Sequence, residues 1–274
     1  MKTWLITGCS DGLGKGIAQA VLENGDRAVV TARDAEHVRH FETEYPQQAL
    51  ALALDLSRAE SIEEAVDAAQ QFGPIDVLVN NAGHGYRAAI EESEPEAVRE
   101  LFETNFFGPM HLIHALLPSM RQAHSGLIIN VTSIGALRGA LGNGYYSASK
   151  GAMELATEAL GLEVRHLGIR TMCVEPGAMR TGFYGSRMGG THHTIADYDP
   201  LAKRYRKEEI DGSAKQPDDP MRCGRIIYEI AKSGADVHHL LLGSDAVRVA
   251  ENYYTNRLHE IGAWKTVSEE ADFE

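Results

Sequence analysis

Short apolar runs recur along the chain, and each is followed by a longer stretch with a different rhythm. The runs are WLIT (4–7), RAVVTA (27–32), ALALAL (49–54), IDVLVN (75–80), LIINVT (127–132), IRTMCVEP (169–176) and HHLLLG (238–243). Several are apolar without alternation, as expected of parallel strands covered on both faces. Between them, 12–24, 60–72, 95–121, 145–167 and 219–233 repeat apolar residues at intervals of three and four, the signature of amphipathic helices. Strand and helix alternating in this way predict a doubly wound α/β fold, a seven-stranded parallel sheet with right-handed crossovers and helices on both faces. No linker rich in Pro, Gly or Ser and no internal repeat divides the chain, so residues 1–274 read as a single domain. The stretch 177–218, rich in Gly, His, Asp and Lys/Arg, breaks the rhythm. A long segment of that kind predicts a lid or substrate-loop insertion, centred on 182–215.

Composition narrows the function classes. The chain is 43% hydrophobic and 24% charged, which suits a globular protein, and its formal net charge of −13 argues against nucleic acid as a partner. No apolar run approaches the ~18–20 residues of a membrane span. The first apolar stretch stops at Thr7 and runs into glycines and Asp11, unlike a signal peptide. Cys9, Cys173 and Cys223 are odd in number and lack metal-ligand spacing. Free thiols in a reduced, cytoplasmic protein are the expectation.

The first strand leads directly into TGCSDGLGKG, residues 7–16. A glycine-rich turn between a first strand and a first helix is where an α/β sheet receives a dinucleotide. The helix N-terminus offers free N–H groups and partial positive charge to a pyrophosphate, and glycine lets the backbone come close. Taken alone, the turn could equally be a tight turn without a ligand. Four further motifs follow in order: NNAG (80–83), SIG from Ser133, YYSASK (145–150) and EPGAMRT (175–181). Together they resemble the short-chain dehydrogenase/reductase family, in its single-domain, Rossmann-fold branch with a TGxxxGxG loop. The resemblance runs from Lys2 to about Thr181 and resumes weakly at 238–246. Two departures are visible: NFFG (105–108) stands where NVxG is commoner, and Asp11 where a basic residue is frequent.

The resemblance implies a catalytic tetrad of Ser133, Tyr146, Lys150 and Asn105. Tyr146 and Lys150 stand four residues apart, on one face of a helix. A phenol has an ordinary pKa near 10, so the lysine cation is expected to stabilise the phenolate and lower it. Ser133 would orient the substrate oxygen, and Asn105 would anchor a water connecting Lys150 to solvent. Tyr228 and Lys232 share the Y-x-x-x-K spacing but lie among isoleucines with no matching serine, and read as packing residues. Tyr145 has Ser149, not lysine, four positions on.

For the cofactor, the resemblance assigns Gly8, Ser10, Gly12, Leu13 and Gly14 to the phosphate loop, and Asp55 and Leu56 to the adenine. Asn81, Ala82 and Gly83 flank the adenine ribose, Tyr146 and Lys150 reach the nicotinamide ribose, and Pro176, Gly177 and Thr181 line the nicotinamide. An NAD site carries an acid ~20 residues past the glycines. Here that position is Ala32, followed by Arg33, whose planar fork suits a 2′-phosphate. NADP (as NADPH) is expected in preference to NAD, with Asp34 either serving the ribose or capping the next helix.

These readings predict an oxidoreductase acting on a small-molecule ketone, aldehyde or secondary alcohol, with no nucleic acid and no membrane as partner. Family members are often homodimers or homotetramers. The substrate pocket falls in 84–93, 134–144 and 182–215, where Tyr, Phe, Leu and Met mix with Arg. That suits a moderately apolar substrate, while Arg138 and Arg187 leave room for an anionic group. The alternatives are a non-catalytic NADP-binding regulatory protein on the same fold, and an epimerase or dehydratase of the extended branch. The histidine pairs 192/193, 238/239 and 111/114 find no Cys/Asp/Glu set in sequence, and no metal is expected. The SEEADFE end (268–274) reads as an acidic solvated tail.

Overall fold

A computed structural model of the chain describes residues 1–185, 187–202, 204–207 and 215–273. Among the described residues nine strands follow one another as β1 (Thr3–Ile6), β2 (Arg27–Ala32), β3 (Ala49–Ala53), β4 (Val77–Asn80), β5 (Gly85–Arg87), β6 (Gly126–Val131), β7 (Ile169–Pro176), β8 (Met188–Gly190) and β9 (His239–Leu242). Seven of them form one parallel sheet in the order β3-β2-β1-β4-β6-β7-β9. This is the doubly wound Rossmann arrangement that the alternation predicts. The pair β5 and β8 forms a small parallel sheet of its own, which three-residue strands rich in glycine do not announce in sequence.

The helices are α1 (Gly12–Glu23), α2 (His40–Glu44), α3 (Ala59–Phe72), α4 (Pro95–Phe102), α5 (Gly108–Ala123), α6 (Ile134–Leu137), α7 (Gly144–Val164), α8 (Asp199–Ala202), α9 (Pro220–Ser233) and α10 (Ser244–Glu269). Strand side chains alternate between the faces, and both faces are covered. Trp4, Ile6, Val30 and Val79 pack against Ile17 of α1 and Ile227 of α9. Leu5, Val29 and Leu78 pack against Ile62 of α3, Ile113 of α5 and Leu160 of α7. Each large aliphatic side chain so buried contributes about 1.5–3 kcal/mol. Two covered faces explain why these strands read as unbroken apolar runs. From β1 the chain winds outward to β2 and β3, then returns to place β4 on the other side of β1. The crevice at the carboxyl ends of β1 and β4 is the switch point of the sheet.

Helices α1 and α9 touch backbone to backbone. A Cβ on Gly16 would lie 2.4 Å from the Pro220 carbonyl oxygen, and one on Gly224 would lie 2.3 Å from the Gly16 carbonyl carbon.

The expected single helix over 95–121 is α4 and α5 joined through a π turn, Glu103–Phe107. The extra residue in that turn rotates the helix face and inserts Asn105 toward the interior. A second difference is α10. Sequence reading leaves 244–269 without a helix and treats 268–274 as a tail, yet the helix runs to Glu269. Only Ala246 and Ala250 of α10 are buried, while Tyr254, Leu258, Ile261 and Trp264 are exposed, so no core-facing stripe marks it in sequence. The insertion carries β8, α8 and short 3₁₀ turns at Gly182–Tyr184 and Ala196–Tyr198, and its 208–214 portion lies outside the described residues. It is pinned by the fully buried Glu92, which accepts bonds from the Ile195 amide (3.0 Å), the Tyr205 hydroxyl (2.7 Å) and Arg206 (2.5 Å). Burial alone would raise this carboxyl, but those donors outweigh it and hold it down to about 2.

A polar seam runs under α7. Asn80 donates to Asn130 (2.9 Å) and Asn130 to Thr157 (2.7 Å), while the buried Glu154 accepts from the Thr132 hydroxyl (3.3 Å). Nearby, His239 Nδ1 lies 2.6 Å from Glu175 Oε1 and its Nε2 lies 3.4 Å from Glu158 Oε1. Glu154, Glu158 and His239 bring potential ligand atoms within 4.8 Å of one another, a grouping hidden in sequence because His239 on β9 lies far along the chain from the two glutamates of α7. Burial and then the charge of Glu175 push the Glu154 carboxyl up to about 7.

Two expectations follow from this packing. Gly16→Ala should force α1 from α9 and destabilise the protein by about 1–3 kcal/mol in urea unfolding followed by circular dichroism. Glu154 holds its proton more tightly folded than unfolded. Stability at this group is therefore lost as pH rises from 4.5 through about 7. Glu154→Gln should raise Tm at pH 8 by at least about 2–4 °C and coincide with wild type at pH 4.5, as calorimetry would read.

Candidate active site

The turn after β1 is shaped by contacts that only glycine permits. Gly8 and Gly12 have φ of +73° and +58°, in the left-handed region. A Cβ on Gly14 would lie 2.2 Å from the Gly8 carbonyl oxygen and 2.5 Å from Asn81 Nδ2. Thr7 fastens this turn to the NNAG segment. Its hydroxyl accepts the Asn81 and Ala82 amides, both at 2.9 Å, and donates to the Val79 carbonyl (3.3 Å). Asn81 Nδ2 answers by donating to the Thr7 and Gly8 carbonyls, at 2.8 and 3.2 Å. The N-cap of α1, Asp11, is extended and makes no side-chain cap, so the first amides of the helix remain available to a ligand.

Two chambers open from this turn. The outer one, of about 550 Å³, is lined by Gly8, Ser10, Arg33, Asp55, Leu56 and Ala82. The inner one, of about 330 Å³, is lined by Leu13, Ser133, Tyr146, Lys150, Pro176 and Thr181. Gly83 and Arg187 border both. The two adjoining chambers, with a glycine cradle and a helix N-terminus between them, suit the two ends of an extended dinucleotide. In the outer half, Asp34 caps a 3₁₀ turn by accepting the Glu36 amide (3.0 Å), leaving Arg33 exposed beside Asp55. Asp55 Oδ1 accepts from the Ser57 hydroxyl (2.7 Å) and amide (3.0 Å), and its carboxyl is lowered first by Ser57, with Arg33 contributing. On the inner side, Gly177 and Ala178 are braced by Leu242 and Asp245, with amide bonds of 2.9 and 2.8 Å, and Thr181 caps the turn that begins the insertion.

Ser133 lies two residues beyond β6 and caps α6, its hydroxyl accepting the Gly135 amide (3.0 Å). Tyr146, in the first turns of α7, is 8% exposed, with its ring 5.7 Å from that of Phe183. A Cβ on Gly135 would lie 3.3 Å from Ser133 Oγ and 3.4 Å from Tyr146 Cε1, so serine and tyrosine flank one small space. Burial pushes the Tyr146 phenol up to about 12, with Ser133 offsetting part of the rise. Asn105, in the π turn, has its amide committed. It accepts the His84 amide (3.1 Å) and donates to the His84 carbonyl (3.0 Å) and the Ser149 hydroxyl (3.2 Å).

Lys150 is held from the sheet: its Nζ donates to the Val131 carbonyl (2.8 Å), and burial brings it down to about 8. Beyond burial and Ser133, the charge of Tyr184 raises the Tyr146 phenol and that of Arg87 lowers it. The lysine stands one helical turn further along and its chain runs toward β6. Ser133, Tyr146, Lys150 and Asn105 nevertheless converge: Gly83 faces Asn105 Oδ1 and Lys150 Nζ at 2.9 and 3.4 Å from its Cβ direction. Three further chamber residues fall in the segments expected to form the substrate pocket but are not singled out in sequence. Arg87 and Tyr184 line the inner chamber, and Lys207 the outer one, all outside recognisable motifs. Arg187 also proves to be a bridge, donating to Ser10 (3.1 Å) and pairing with Asp11 on the phosphate turn. By contrast Tyr228 packs on Trp4, with ring centroids 5.6 Å apart, and Lys232 pairs with Asp26 at 2.9 Å, far from either chamber.

The comparisons with known proteins agree with this architecture. The family described as short chain dehydrogenase matches residues 2–188. Oxidoreductase BOA17 of Botryotinia fuckeliana is 32% identical over 252 residues, 91% of each chain. A short-chain dehydrogenase structure from Streptomyces avermitilis superposes with a TM-score of 0.90 at 35% identity, covering 99% of this chain and 98% of that one. An alcohol dehydrogenase from Thermococcus sibiricus, solved with 5-hydroxy-NADP, aligns over 88% of this chain and 96% of its own (27% identity, TM-score 0.72). A 3-ketoacyl-(acyl-carrier-protein) reductase from Brucella melitensis, solved with NADH, aligns over 89% and 98% (26% identity, TM-score 0.74). The family match over residues 2–188, together with 32% identity to a relative over 91% of each chain, shows that the chain belongs to the short-chain dehydrogenase family of oxidoreductases.

Proposed function

We propose that this protein is an NADP-dependent oxidoreductase that interconverts a carbonyl compound and its alcohol, with Tyr146 as general acid and base. The observation that carries the reading is the pairing of Ser133 and Tyr146 at the inner end of a groove that begins at the glycine turn. A bound nicotinamide dinucleotide would supply or accept the hydride. Its phosphates would rest on the Gly8–Gly14 turn and the free amides of α1, and its nicotinamide end beside Pro176, Gly177 and Thr181.

The side chains of the chain do the rest. Ser133 donates a hydrogen bond to the substrate oxygen and sets its direction. Tyr146, held as a neutral phenol by burial, gives its proton to that oxygen as the carbonyl is reduced. Oxidation needs the phenolate instead, so alcohol oxidation rises with pH toward the alkaline range while reduction is favoured near neutrality. Lys150, fixed on the Val131 carbonyl, supplies positive charge and a ribose contact on the cofactor side. Asn105 ties the His84 segment to α7 and keeps the lysine's surroundings in register. NADP is favoured over NAD because Asp34 is spent on its cap, while Arg33 and Lys207 face the outer chamber.

Tyr146→Phe should retain dinucleotide binding and lose about 10²–10⁴ in kcat for carbonyl reduction; turnover close to wild type would move the proton donor elsewhere. Arg33→Ala should weaken NADPH about 10–100-fold and NADH less than threefold in fluorescence titrations. Equal losses would remove Arg33 from the phosphate contact.

A further inference from the structure

The inner chamber is charged against the trend of the molecule. The chain carries a formal charge of −13, yet among the described residues the charged side chains lining this chamber are Arg87, Arg138, Arg187 and Lys150, with no Asp or Glu. Two of these cations are accounted for. Lys150 is held by the Val131 carbonyl, and Arg187 by Ser10 and Asp11 at the phosphate turn. Arg138 lies on an exposed loop.

Arg87 is different. It ends β5, whose pairing with β8 sets Arg87 opposite Gly190 and fixes the direction of its backbone. Arg87 is half-buried, and its charge is felt by Tyr146 and Tyr184, the two phenols that line the chamber. No carboxylate among the described residues pairs with it, and its Nε is buried without a hydrogen-bond partner. A buried guanidinium is ordinarily matched by an anion, because desolvating the charge alone is unfavourable. Arg87 borders the open volume of the inner chamber, which Tyr146 also lines.

Building on the oxidoreductase reading, we propose that the natural substrate is a carbonyl compound, or the matching alcohol, that carries a carboxylate, and that Arg87 binds this carboxylate while the carbonyl lies at Ser133 and Tyr146. The planar fork of an arginine takes a carboxylate through two parallel N–H bonds. Phe183 and Tyr184, stacked edge to face at 5.6 Å, supply an apolar wall for the carbon skeleton between the two ends. Arg87 is then a specificity residue: it selects acids over their neutral counterparts and holds the carbonyl at a set distance from the phenol.

Matched pairs test this directly: 4-carboxybenzaldehyde against methyl 4-formylbenzoate, and 4-oxopentanoate against its methyl ester. Binding of each to the enzyme–NADP⁺ complex is read by calorimetry, where no reduction can follow, and turnover is read with NADPH. In wild type at least one acid should bind about 10–100-fold tighter than its ester, the effect lying in KM rather than kcat. Arg87→Gln should bring the acid/ester ratio close to one, and Arg87→Lys should restore part of it. The NADPH titration of each variant reports separately that its fold and cofactor groove are intact. Acids binding no tighter than esters in wild type would overturn the proposal, as would an Arg87→Gln variant that loses kcat equally for both members of a pair, since Arg87 would then act on Tyr146 alone. A wild-type protein that bound no dinucleotide would overturn the oxidoreductase reading and this one together.

Discussion

A single hydroxyl group, that of Thr7, holds together the two loops from which the rest of the groove is built. It accepts amides from Asn81 and Ala82 and donates to Val79, while Asn81 reaches back to the carbonyls of Thr7 and Gly8. This mutual fastening ties the ends of β1 and β4 across the switch point of the sheet. It also brings the glycine turn so close to Asn81 that Gly14 has no room for a side chain. With the two loops locked, the N-terminus of α1 points into an open groove, and Gly83 is set against Asn105 and Lys150. The glycine turn and the Asn105–Lys150 side of the site are therefore joined through one hydrogen-bonded arrangement.

The roof of that groove is made differently. The insertion after β7 contributes Phe183, Tyr184 and Arg187, and it is tied down at widely separated points: by the β5–β8 pairing, by Arg187 on the phosphate turn and by the buried Glu92. These ties join segments far apart in the chain. The floor comes from the sheet and carries the motifs of the family. Outside those motifs, Arg87 of β5, Arg138 after α6 and Arg187 of the insertion line the inner chamber.

Much of this is legible in the amino-acid sequence, for physical reasons that differ from place to place. The strands are readable because burial on both faces demands apolar residues at every position. Tyr146 and Lys150 are readable because their helical spacing falls within an ordered set of motifs that resembles a family, which the equally spaced Tyr228 and Lys232 lack. The glycines are readable because no other residue tolerates those contacts. Asp34 has two possible roles in sequence, and only the folded turn shows the cap it makes. What stays hidden depends on contacts between distant segments or on weak patterns. Helix α10 buries only two alanines, so no periodic stripe betrays it. Arg87 and Lys207 sit in segments without motifs, and the Glu154–Glu158–His239 grouping assembles only when α7 packs beside β9. The partner of Lys150 is hidden for a related reason: spacing on a helix places two residues on one face, but the Val131 carbonyl decides where the ammonium goes.

The most direct measurement is a titration of the wild-type protein with NADPH at fixed ionic strength, followed by nicotinamide fluorescence. The account predicts saturable, one-to-one binding with enhanced, blue-shifted emission, as the nicotinamide leaves water for the chamber beside Tyr146, and weaker binding of NADH. An emission spectrum unchanged by the protein at concentrations well above those of a typical dinucleotide site would contradict it, and would leave the Thr7-fastened glycine turn as a structural feature without a ligand.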